Sequence, residues 1–144
     1  MEKLICESLL WKVGLSSGDT YNQVLHEIFM HKPDCSLLLE LEYCSFDCDT
    51  TFDLLQRHMK YDSITFDNEI FGKYLLESLK RKYFEGGFTI QDFGRKCYLL
   101  WRQLPDEINT IEPFHALSYA DDPMSWNDEP QTRKIFESLF DFYK

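Results

Sequence analysis

The chain has 144 residues, 44% hydrophobic and 16% aromatic, with six Gly, five Pro and a formal net charge of −10. Bulky core material at the size of one ordinary domain excludes a disordered chain, and residues 1–144 are read as a single domain. The acidic balance excludes a phosphate backbone as partner, so nucleic acid is not expected.

The N-terminus, Met1-Glu2-Lys3-Leu4-Ile5-Cys6-Glu7, has neither the basic start nor the apolar run of a signal peptide. No apolar stretch approaches the roughly 18 residues that cross a bilayer, so no membrane is expected. Five cysteines at irregular spacing read as reduced thiols, mostly buried, and the expected location is cytoplasmic.

Helical periodicity then recurs. Tyr21, Val24, Leu25, Ile28 and Phe29 share one face, preceded by Ser16-Ser17-Gly18-Asp19 as a capping box and closed by Pro33. Asp34 is expected to cap a short helix with Leu37, Leu38, Leu41 and Cys44 inward. Thr50-Thr51-Phe52-Asp53 offers another capping box before Leu54, Leu55 and Met59. Residues 67–85 read as the longest helix, with Phe71, Leu75 and Leu79 on its stripe, Lys80-Arg81-Lys82 in its last turns and Gly86-Gly87 as its stop.

Thr89-Ile90-Gln91-Asp92 starts the next helix. Phe88 and Phe93 form a hydrophobic staple around that start, Cys97, Leu100, Trp101 and Leu104 give the buried face, and Pro105 ends it. Pro113 opens a short helix through about Ala120, broken by Asp121-Asp122-Pro123. Asp128 with Gln131 caps a last helix whose apolar face is Ile135, Phe136, Leu139, Phe140 and Tyr143. Two-residue alternation is absent, so the fold class is all-α, a bundle of about six to eight helices.

Few residues carry a chemical signature. His26 and His31 stand five apart, which places them on different helix faces and fails the zinc-protease spacing. Cys44, Cys48 and His58, with Cys35 upstream, make only one close cysteine pair, so core thiols are expected and no metal or cofactor. No nucleophile elbow, phosphate-binding loop or dinucleotide fingerprint occurs. His115 near Asp121 and Asp122 is the alternative: a helical enzyme or metal protein, if the turn folds back. An adaptor subunit using the same acidic face is a further reading.

Charge is the stronger bias. Residues 1–60, 61–105 and 106–144 carry −5, +1 and −6. No Lys or Arg lies between Lys32 and Arg57, where Asp34, Glu40, Glu42, Asp47, Asp49 and Asp53 fall, nor between Arg102 and Arg133. The second window holds Asp106, Glu107, Glu112, Asp121, Asp122, Asp128 and Glu129, with Phe114, Tyr119 and Trp126. Acids steer an encounter and aromatics anchor it, so these seven carboxylates with Tyr119 and Trp126 are the expected docking residues for a basic protein. Trp126, among turn-formers and outside every helical stripe, is expected to be partly exposed.

In residues 99–129, Leu99-Leu100-Trp101, Leu104-Pro105-Asp106-Glu107-Ile108, Glu112-Pro113-Phe114 and Tyr119-Ala120-Asp121-Asp122-Pro123-Met124-Ser125-Trp126 resemble a family of small acidic bacterial proteins. In size and charge the chain is similar to immunity proteins of bacterial toxin systems, including contact-dependent inhibition. The resemblance covers about a fifth of the chain and implies a non-enzymatic cytoplasmic inhibitor that covers the surface of a basic toxin domain.

Overall fold

The computed structural model describes residues 1–32, 34–61 and 67–142, with 59–61 described by their backbone alone. The expected roles of Pro33, Met59 and Tyr143 lie outside the described side chains. No strand occurs among the described residues, and the fold is all-α. By its contacts the chain divides into two compact units, Met1–Asp67 and Asn68–Lys144.

Unit 1 is built from α1 (Glu2–Val13), α2 (Gly18–His31), α3 (Ser36–Tyr43) and α4 (Cys48–Tyr61), with α1 packed against α2 and α4. Helix α1 carries no amphipathic stripe because Leu4 through Leu10 are all buried, Glu7 and Ser8 included. The Ser8 hydroxyl meets that burial by donating to the Ile5 carbonyl (2.7 Å). Gly14 ends the helix in the left-handed region (φ 85°), and the Leu15 amide reaches back to the Leu10 carbonyl (2.9 Å). Leu15 thereby turns into the core.

The caps of this unit differ from expectation by one to three residues. Ser17, not Ser16, accepts the Thr20 amide at the start of α2 (3.5 Å). Cys35, not Asp34, precedes α3 and makes no side-chain cap. Asp47, not Thr50, caps α4, accepting from the Thr50 amide (3.1 Å) and hydroxyl (2.8 Å), and those bonds hold its carboxyl below the usual range. Thr51 is instead buried and donates to the Cys44 carbonyl (2.8 Å). Of the five free cysteines only Cys6 and Cys97 are buried, and Cys35, Cys44 and Cys48 are half-buried.

Unit 2 contains α5 (Asn68–Glu85), α6 (Ile90–Gln103), α7 (Asp106–Asn109), two 3-10 helices (Phe114–Ser118 and Asp122–Trp126) and α8 (Glu129–Phe140). Gly86 and Gly87 stop α5 at φ 82° and 89°, where a side chain would be strained. Thr89 accepts the Asp92 amide (3.1 Å), and the Phe88 and Phe93 rings lie 6.5 Å apart. Both the cap and the staple are therefore present as read. Tyr83, Phe93, Phe136 and Phe140 form one aromatic core, with ring centroids 5.1–6.2 Å apart along its pairs. This core seats α8 on α5.

Candidate functional site

After α7, the segment from 113 to 126 follows a tighter pitch than the α-helix expected from Pro113 to about Ala120. Its two 3-10 helices are five residues each, with the first packed on α6 and the second on α8. The helix opened by Pro113 ends at Ser118, just before Asp121-Asp122-Pro123, and this break also begins the second 3-10 helix, with Pro123 buried in its first turn. Ile108, Phe114, Ala116, Leu117 and Ala120 supply the apolar underside. The Trp101 indole locks α6 to the segment by donating to the Asn109 carbonyl (2.8 Å).

This burial divides the acidic window. Phe114 is core at 1% exposure, Tyr119 is 38% exposed and Trp126 is 62% exposed. The Trp126 indole makes no hydrogen bond or ring contact among the described residues. It stands at the end of a short helix closed by Asn127 in the left-handed region (φ 60°).

Several carboxylates have structural work. Asp128 caps α8 by accepting the Gln131 amide (3.2 Å), and Glu129 pairs with Arg133 one turn on (2.8 Å). Asp121 backs onto α6 so closely that a Cβ on Gly94 would stand 2.7 Å from its own Cβ. Burial, and to a lesser extent the Asp122 charge, raises the Asp121 carboxyl above its ordinary range. Asp106, Glu107 and Asp122 are exposed, and no ion pair holds them among the described residues.

Glu112, His115 and Tyr119 come together around the first 3-10 helix. His115 Nδ1 lies 3.7 Å from the Glu112 carboxylate, and its ring meets Tyr119 and Trp101 edge-on at 5.7 and 6.5 Å. Burial and the Glu112 carboxylate raise the Tyr119 phenol. The histidine thus faces Glu112 and two aromatics, and no hydrogen bond or ion pair joins it to Asp121 or Asp122 among the described residues. The acid–base alternative requires that junction.

Glu112, Pro113, Ala116 and Tyr119 form one wall of a groove of about 300 Å³, and α8 forms the other through Lys134, Ile135 and Leu139. A window without bases in sequence therefore acquires one in space, since Lys134 lines the same groove as Glu112. Sequence reasoning missed this because α8 returns from outside the window. Among the described residues no group of three or more potential ligands is placed to hold a metal ion.

Of the thiols and the histidine weighed for zinc, Cys44 and His58 have neighbours of their own, and Cys35 and Cys48 are half-buried free thiols. Cys44 lies 3.6 Å from the Thr51 hydroxyl, and His58 Nε2 lies 3.6 Å from the Glu40 carboxylate. His26 and His31 are exposed on α2. No helix among the described residues is long and apolar enough to cross a membrane. Comparison with known protein families, with curated proteins and with solved structures found no match to this chain.

Proposed function

We propose that this chain is a non-enzymatic binding protein that docks a basic protein through the 106–129 segment, acting as an immunity protein that covers a toxin domain. The observation that carries the reading is Trp126, a large aromatic held on an ordered turn with most of its surface in water and acids on both sides. A rigid aromatic loses little conformational freedom on binding, which is why such residues dominate interface energetics. Tyr119 and Glu112 on the neighbouring groove extend the contact, while exposed Asp106, Glu107 and Asp122 attract the partner from a distance.

The test is a Trp126→Ala variant co-expressed with the basic toxin domain that this reading requires, sought first among the products of neighbouring genes. The expected result is an unchanged melting temperature, partner affinity weakened by about 2 kcal/mol or more, and loss of protection of the cell. A variant that melts early while its folded fraction still protects would assign Trp126 to folding and remove the anchor from the account.

A further inference from the structure

A second surface, in unit 1, joins exposed aromatics to acids more sharply than the 106–129 segment does. Tyr43 is 92% exposed and Phe46 94% exposed, with Leu39 one turn before Tyr43 also outward. The rings sit at the junction of α3 and α4, inside the first base-free window, and Glu42, Asp47 and Asp49 beside them are exposed. Lys12 of α1 is held by Asp49 and lies over the Phe52 ring.

The turn that carries Phe46 is fixed. The Asn22 side chain donates to the Gly18 carbonyl (2.8 Å) and to the Ser45 carbonyl (3.0 Å), tying the turn to the start of α2. Ser45 is buried, the Asp47 amide donates to the Cys44 carbonyl (2.9 Å), and Thr51 holds that same carbonyl from α4. Phe46 is thus presented outward by a backbone whose polar groups are bonded on both sides. Such a ring is prepared for contact without further ordering.

Beside it lies a groove of about 350 Å³ lined by Trp11, Asp19, Asn22, Ser45 and Phe46 among others. Trp11 is held there by stacking on Tyr21 (centroids 5.3 Å, planes 29° apart) and by the bare backbone of Gly18, where a Cβ would stand 2.8 Å from the indole. The lining therefore offers two aromatic rings and a carboxylate, and it includes no lysine or arginine. A planar cation satisfies all three at once: guanidinium stacks on aromatic faces, pairs with carboxylate through its fork of donors, and sheds water more readily than ammonium.

We propose that the groove between Trp11 and Phe46 takes an arginine-bearing segment of a basic protein, its guanidinium stacked on the two rings and paired with Asp19. Tyr43 and the acids of the α3–α4 junction then line the path of the same segment. This extends the binding reading to unit 1 and rests on its own residues, so the two surfaces report separately.

The test is an NMR titration of the full chain with octa-arginine and, separately, octa-lysine. Octa-arginine is expected to bind at least about threefold more tightly, with shifts concentrated on the Trp11 indole, the Asn22 amide and the Phe46 ring. Phe46→Ala is expected to weaken octa-arginine binding about tenfold at unchanged melting temperature, whereas Met30→Ala, at an exposed apolar residue of α2 outside the groove, leaves it unaltered. Equal affinity for the two peptides, shifts spread over all acidic segments, or a Phe46→Ala variant that binds normally would overturn the proposal. So would a Phe46→Ala variant that melts early, since the ring would then serve folding.

Discussion

At the residue scale, the acids of the 106–129 window differ in what folding asks of them. Asp121 shows the contrast, lying against α6 at Gly94 with its carboxyl raised chiefly by burial. A raised carboxyl means that the folded state holds the proton more tightly than the unfolded chain. Its contribution is therefore present in full below the unfolded range and is lost as pH rises through the folded value. At neutral pH the charge weighs against folding, and its side chain makes no capping bond whose loss would offset a change. Asp121→Asn should accordingly melt higher at neutral pH, by no more than about 1 kcal/mol because the carboxylate is partly screened by water. The gain should vanish below about pH 4, where the native acid is protonated. Thermal melts of both proteins across that range check it, and a gain independent of pH would mean that charge is not the cause.

At the element scale, legibility followed the presence of paired local signals. The start of α6 combines a cap, a staple and a preceding glycine stop, and all three act within the eight residues from Gly86 to Phe93, so no distant contact can shift them. Thr89→Ala removes the cap and should cost about 1 kcal/mol, a loss of a few degrees in melting temperature, whereas Thr89→Ser should restore most of it. An alanine variant as stable as the native chain would show that the staple alone sets this boundary. Helix α1 was illegible for the opposite reason: burial all round erases the stripe that periodicity detects. The 3-10 helices were misread because three-residue pitch over five residues leaves too few positions to separate from an α-helical turn. Trp126 was legible as exposed from its turn-forming neighbours, while Phe46 was not, since a single Phe in an acidic stretch gives no sign of which way its turn faces. That direction is set by Asn22, more than twenty residues away in sequence.

At the scale of the whole molecule, charge acts before any contact forms. The net charge of −10 is carried by the first and last thirds of the chain, and the middle third is near neutral. A basic partner therefore meets an attractive field on approach to either acidic part, and the field decays over about 8 Å at physiological ionic strength. The contact proposed at Trp126 differs in kind, since it is short-range, partly apolar and little affected by salt. The two effects separate kinetically. Raising salt should slow association with the basic partner proposed above tenfold or more, an order-of-magnitude expectation for steered encounters, while dissociation changes far less. Trp126→Ala should do the reverse, speeding dissociation at an unchanged salt slope. Stopped-flow association and dissociation measured on the native chain and this variant over a salt series check both arms. An association rate indifferent to salt would remove steering and leave the acids as a solubilising surface, and a variant with an altered salt slope would mean that Trp126 acts on the encounter and not on the docked complex.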